Sequence, residues 1–313
     1  MIETAPDTGA QLQREVMGRL DPHAPALAQN ILREVVATYP VGSATVRACV
    51  AITFTAAARP GAKRRMPDEM ARDLAARLPG LGQGLHATGA GPARPMTAQQ
   101  LCEFVRTAYE PRVARLIDEA YAAGEIPELS WEDVGPAAAE TRWDSYRHDS
   151  AVSVTWSMTA APRGAVQSNI LEKLLAPSAT IARKRVSMLY QVMDSAEAAR
   201  TVEADRNNAD FRATSSKRPT ARISRDQKAA QASATEEARG AGLVSFGMLV
   251  TATALHVGEL PDVEAAIDNL SATARLTLRP VYGSQDSAFA AALPIGIVLP
   301  RHLKVPAEIR SAL

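Results

Sequence analysis

Residues 242–255 read GLVSFGMLVTATAL and carry the alternation of a β-strand. Val244, Phe246, Met248 and Val250 share one face. Ser245, Gly247, Leu249 and Thr251, all small or apolar, share the other, so cover on both faces is expected. A helical pattern follows at 261–275 (PDVEAAIDNLSATAR), then a short strand at 276–282 (LTLRPVY), which completes a β-α-β unit. The same order occurs far earlier in the chain. Residues 43–55 (SATVRACVAITFT) predict a strand with Val46, Ala48, Val50, Ile52 and Phe54 in phase, and 67–78 (PDEMARDLAARL) a helix. ARPMTAQQLCEFV at 93–105 nearly matches LRPVYGSQDSAFA at 278–290. The echo reads as a diverged internal duplication.

The chain has 313 residues, enough for two compact domains with real cores. Hydrophobic residues make up 46% but aromatics only 4%, so alanine and valine must fill much of the interior. A formal charge of +1 leaves no global field toward nucleic acid or an anionic membrane, and basicity can act only locally. The two cysteines, Cys49 and Cys102, fit neither a metal spacing nor a disulfide framework and read as buried free thiols in a reducing cytoplasm. No apolar run reaches the roughly 18 residues needed to cross a bilayer, and MIETAPDTGA has no signal-peptide pattern. Residues 1–4 read instead as the tail of a strand.

Between 10 and 39, two apolar stripes (Leu12, Val16, Met17, Leu20; then Leu27, Ile31, Leu32, Val35, Val36) flank Asp21-Pro22 and predict an α-hairpin. After strand 43–55 come the basic loop 59–65, helix 67–78 and a glycine-rich connection at 80–91 (GLGQGLHATGAG). Residues 99–121 are helical and broken at Pro111, and 125–149 is the least regular stretch. Strand 151–159 carries Val152, Val154, Trp156 and Met158 on one face. Helix 166–175, strand 181–193, helix 195–213, a polar break at 214–226 and helix 227–239 then lead back to strand 242–255. Without its helical insertion, the second half has the β-α-β-β-α-β order of a ferredoxin-like fold. The first half has that plan with its opening strand and helix missing.

Motifs for chemistry are sparse. No G-x-x-x-x-G-K-[ST] loop occurs, and Gly80-Leu81-Gly82-Gln83-Gly84 follows a helix rather than a strand, which suits a helix end better than a dinucleotide loop. The histidines form no helical metal pair, and no cofactor is expected. The densest polar cluster runs from Trp143 through Asp144, Ser145, Tyr146, Arg147 and His148 to Ser150. It reads as a capped helix end before a strand, with Trp143, Asp144, Tyr146, Arg147 and His148 as candidate partner contacts. On a helix, Asp144 and His148 would share a face, which leaves a hydrolase as an alternative. Arg212, Lys217, Arg218, Arg222, Arg225 and Lys228 gather at the tip of the inserted hairpin. They read as a solvated tip, with phosphate contacts of a nucleic-acid-binding accessory protein as the other reading.

WDSYRHDSAVSVTW, IARKRVSMLY, GLVSFGMLVTATA and VYGSQDSAFAAALPIGIVLPRHLKVP, together with TAPDTG near the start, resemble an actinobacterial family of membrane proteins linked to conjugation and type IV secretion. Its members carry PrgI-type transmembrane segments followed by a soluble part, and this chain is similar to that soluble part. AFAAALPIG also resembles the close of the non-ATPase domain of VirB/TrbE/CagE-type secretion ATPases. The resemblance implies a scaffold at the cytoplasmic face of the inner membrane, with a separate secretion-type ATPase and membrane channel subunits as partners and no catalytic residues of its own. A homo-oligomer is a further possibility.

The expected fold is therefore α+β, with two ferredoxin-like halves and an α-hairpin in each. Residues 1–124 form the incomplete first half, 125–149 a connector, and 150–313 the second half with its insertion at 195–240. The expected gene product begins further upstream, and the shortened first half is expected to be the less stable and prone to self-association.

Overall fold

The structure, a computed structural model, describes residues 1–6, 21, 23–38, 44–54, 65–88, 91–162, 166–215 and 220–298. The strands are β1 (Ile2–Pro6), β2 (Ala44–Ala48), β3 (Ala139–Thr141), β4 (Tyr146–His148), β5 (Ala151–Ala160), β6 (Arg183–Val192), β7 (Val244–Ala254) and β8 (Thr277–Pro280). They form one eight-stranded sheet in the order β2-β1-β6-β7-β5-β4-β3, with β8 also beside β5. The pairs β1–β2, β1–β6, β3–β4, β4–β5 and β5–β8 are antiparallel. The fold is α+β, as the alternating strand and helix patterns predict. All the described strands belong to this one sheet. β1 is an interior strand, with Glu3 opposite Arg47 of β2 on one side and Arg185 of β6 on the other.

The helices described are α1 (Ala26–Thr38), α2 (Pro67–His86), α3 (Ala98–Tyr109), α4 (Val113–Ala122), α5 (Glu172–Leu175), α6 (Ser195–Ser215), α7 (Ala221–Ala238), α8 (Leu260–Thr273) and α9 (Gln285–Ala291). The chain divides into two compact units, Met1–Ser187 with Val250–Leu313, and Met188–Leu249. In the first, α3 starts from a capping box in which Thr97 accepts from Gln100 N–H and the Gln100 side chain accepts from Thr97 N–H. Its face Cys102, Phe104, Val105 and Ala108 packs with Tyr146 of β4 and with Phe289 and Leu293 at α9. On the opposite face of β6 from Arg183 and Arg185, Lys184 donates to the Ala176 carbonyl at the end of α5 (2.6 Å). α5 in turn lies against α8, which buries Val263 and Ile267.

The sheet face under α3 and α9 is polar although buried. Ser153 pairs with Thr253 (2.7 Å) and Thr155 with Thr251 (2.9 Å). Gln285 of α9 donates to the Thr155 carbonyl and accepts from its N–H, while Ser187 donates to the Ala292 carbonyl. Each hydroxyl thus meets a partner, which makes its burial affordable at small net cost. The other face, with Val152, Val154, Trp156, Val186 and Val250, is the apolar one.

Several expected elements differ. Strand 43–55 contracts to Ala44–Ala48, and just past it Cys49 N–H donates to Met1 O. Cys49 is accordingly half-buried just past the strand, whereas Cys102 is buried as expected. Residues 80–86, read as a flexible connection, continue α2 through Pro79 and three glycines. Leu74, Leu78, Leu81 and Leu85 keep helical spacing across that stretch, and this pattern outweighs the glycine signal. Helix 166–175 contracts to Glu172–Leu175, since Ser168 and Asn169 take up turns before it. The stretch 125–149 supplies the hairpin β3–β4 to the sheet. The first helix expected between 10 and 20 lies outside the described residues, as does most of loop 59–65. Cover on both faces of β7 holds from Met248 onward; Val244 and Phe246 are exposed.

In the second unit, α6 and α7 make the inserted hairpin, linked by Gln227 donating to Asp210 (2.8 Å). α7 starts earlier than expected because Thr220 caps it, accepting from Ile223 N–H. Among the described residues, no helix is long and apolar enough to cross a membrane.

Candidate functional site

The polar cluster 143–150 is a β-hairpin, not a helix end. Strand alternation puts Tyr146 and His148 inward and Arg147 outward, so the helical pairing of Asp144 with His148 does not form. Asp144 sits in the exposed turn, where Ser145 donates to it (3.2 Å). His148 is fully buried. Its Nδ1–H donates to the Tyr109 carbonyl, which fixes the tautomer and leaves Nε2 to accept from the Ser153 hydroxyl (2.8 Å). Trp143 is exposed and stacks on Tyr282, with centroids 5.8 Å apart. Gly283 allows this approach: its φ is +73° and an added Cβ would lie 3.0 Å from the Trp143 ring.

Burial pulls the His148 imidazole down to about 4, against the opposing Tyr109 bond. The folded protein therefore holds His148 neutral while the unfolded chain protonates near its ordinary 6.5. Stability is then complete above pH 6.5 and falls as the pH drops toward 4, by roughly 3 kcal/mol in all. Urea melts of the wild type and His148→Gln across pH 4–7 should differ in slope in that window. Parallel slopes would show that the ring is protonated in the folded state.

The basic residues expected at one tip are spread along two helices. Arg212 lies on α6 and Arg222, Arg225 and Lys228 on α7, all exposed, with Arg222 4.0 Å from Asp226. Lys217 and Arg218 fall outside the described residues.

The site that the fold does build was not singled out from the sequence. Glu3, buried at the centre of β1, binds Arg183 Nη2 through Oε1 (2.9 Å) and Arg185 Nε and Nη2 through Oε2 (3.0 and 2.8 Å). Arg183 Nη1 also donates to the Thr107 carbonyl of α3 (2.7 Å), and Arg185 lies 5.2 Å from the Phe289 ring centroid. Burial alone would raise the Glu3 carboxyl, but the two guanidiniums outweigh it and hold the group at about 2. Arg183-Lys184-Arg185, three cations in a row inside a strand, was the available signal. Lys184, on the other face, is lowered to about 8 by burial.

Beside this network opens a groove of about 940 Å³, walled by β1 and β2 on one side and by α3 and α4 on the other. Glu3, Phe104, Thr107, Ile117 and Arg183 line it, with Arg47, Arg112 and Arg115 among its cations and Glu103 and Asp118 among its anions. Arg47 lies 5.9 Å from the Phe104 ring centroid, and Glu103 accepts from Tyr121 OH (2.5 Å) and Gln99 Nε2 (2.9 Å). Such a groove can bind a charged group or an extended segment. Among the described residues, no group of three or more metal-ligating side chains occurs. No known protein family and no curated protein sequence matches this chain.

Proposed function

We propose that this chain is a docking subunit of a conjugative DNA-transfer or type IV secretion machine. It works at the cytoplasmic face of the membrane and meets an ATPase and channel subunits carried on other chains. The observation that supports this reading is the edge of β2. Among the described residues β2 pairs only with β1, and Val46, Val50, Ile52 and Phe54 on and after it are exposed. An apolar strand edge beside a groove is a template for a second chain. The exposed Trp143–Tyr282 pair offers another contact.

A duplication of ferredoxin-like halves accounts for that edge. It is supported by the neighbour order β8-β5-β7-β6, which is the order of a β-α-β-β-α-β unit. It is also supported by Phe104 and Phe289, which occupy matching places in the repeated motif and share one core cluster. β1 and β2 then correspond to β6 and β7, and the open side of β2 to the place beside β7 that β5 fills.

A photo-crosslinking residue at Val50, in cells carrying the transfer machinery, should capture a secretion-type ATPase or a channel subunit, and one at exposed Val166 should not. Replacing Val50 and Ile52 together by Asp should reduce transfer frequency. Capture confined to metabolic enzymes, with transfer unchanged in the double variant, would overturn the reading.

A further inference from the structure

We infer that the open face of Trp143 takes an arginine side chain from a basic segment of a partner protein, its charge set against the carboxylates beside that ring. The inference rests on the docking reading and names the chemistry of its partner at one contact.

The ring is held in place from one side. Arg142 N–H donates to the Ser145 carbonyl (2.9 Å), which makes Trp143 and Asp144 the tip of the β3–β4 hairpin. Gly283 N–H donates to the Trp143 carbonyl (2.7 Å) and ties that tip to the segment after β8. Tyr282 of the same segment lies nearly parallel to the indole, at 15°. This stack covers one face of the ring, yet Trp143 stays 70% exposed, so its other face is open to solvent. A tryptophan already fixed and exposed gives up little conformational entropy on binding, and such side chains anchor interfaces.

Charge then selects the ligand. Asp144 adjoins Trp143 in the turn. Glu264 on α8 is its neighbour: burial, then the charges of Asp144 and Asp268, raise the Glu264 carboxyl. Among the described residues, none of these three acids has an ion-pair partner. The nearby Arg142 is held by Glu140 through two bonds (3.0 and 3.1 Å). Arg279 lies 5.5 Å from the Tyr282 ring centroid, so the stack already accommodates one guanidinium. A nucleobase can also stack on an indole, but its phosphates would meet the acids. A guanidinium suits both features. Its plane lies flat on an aromatic face, tryptophan being the strongest such partner, and its N–H fork reaches carboxylates. Lysine shares the charge but not the plane.

The test titrates the full chain with two short capped peptides of glycine and serine, one with a central arginine and one with citrulline, which keeps the planar group and loses the charge. NMR follows the indole N–H signals, and Trp143→Phe identifies the one from Trp143. The arginine peptide should shift that signal and bind at least about tenfold more tightly than the citrulline peptide. Asp144→Asn combined with Glu264→Gln should weaken the arginine peptide by about tenfold and leave the citrulline peptide unchanged. Circular dichroism checks that the double variant is folded, and Asp144→Asn alone serves if it is not. Equal binding of the two peptides, or an affinity indifferent to the loss of the carboxylates, would overturn the cation assignment. A Trp143 signal that neither peptide moves, or that moves only with a thymidine oligonucleotide, would overturn the arginine site. Any of these failures alongside crosslinking at Val50 to an ATPase or channel subunit would leave the docking reading standing and discard only this inference.

Discussion

Glu3→Gln is expected to destabilise the protein by about 3–5 kcal/mol. Burying an ion costs several kcal/mol, which its partner must offset, so removing this anion strands two guanidiniums that have no other carboxylate partner among the described residues. Arg185 bears most of the loss, because two of the three Glu3 bonds come from it and, among the described residues, its Nη1 has no partner. The sign with pH follows from the depressed carboxyl. Glu3 holds its ordinary 4.5 in the unfolded chain and about 2 in the folded one, so its contribution is complete above pH 4.5 and is lost as the pH falls toward 2. Glu3→Gln should remove that acid limb. Urea denaturation at neutral pH and at pH 3 measures both effects. A neutral-pH cost below about 1 kcal/mol would mean that the guanidiniums reach water. Combining Glu3→Leu with Arg185→Met should recover part of the loss, since an apolar pair of similar volume removes both desolvation penalties.

Trp156→Ala should cost about 3–5 kcal/mol by a different route. Trp156 is 3% exposed on the face of β5 that also carries Val152 and Val154, and it stands opposite Pro280 of β8. Truncation leaves a cavity in a chain whose few aromatics make each one hard to replace. Because β8 pairs with β5 at that position, the loss should also loosen the β5–β8 edge. Hydrogen exchange should show faster amides on both sides of Trp156, with Trp156→Phe intermediate. A cost under about 1 kcal/mol, with unchanged exchange, would place that face outside the core.

Local periodicity made the elements legible. The alternation in 151–159 and 242–255 and the helical patterns in 99–121 and 261–275 each report one element; Val152, Val154 and Trp156 of β5 and Met248 and Val250 of β7 are buried, while Val244 and Phe246 at the start of β7 are exposed. The break at Pro111 was equally local. Where local signals competed, the reading failed. The glycines of α2 stood against a leucine spacing that prevailed, and Trp143 to His148 had no period long enough to tell a hairpin from a helix end.

The candidate site was not legible, because its parts meet only through strand order. Glu3 and Arg183 are 180 positions apart in sequence. The alternation of β1 and β6 says that each has two faces but not that they are neighbours. It also does not say that the polar faces of β5, β6 and β7 are covered by α3 and α9 rather than by water. The sequence by itself determined where the chain makes strands and helices and which side chains of each share a face. Only the tertiary structure decided which faces meet, since pairing depends on contacts between distant segments that no local pattern encodes. It thereby placed one carboxylate between two buried arginines beside an open groove.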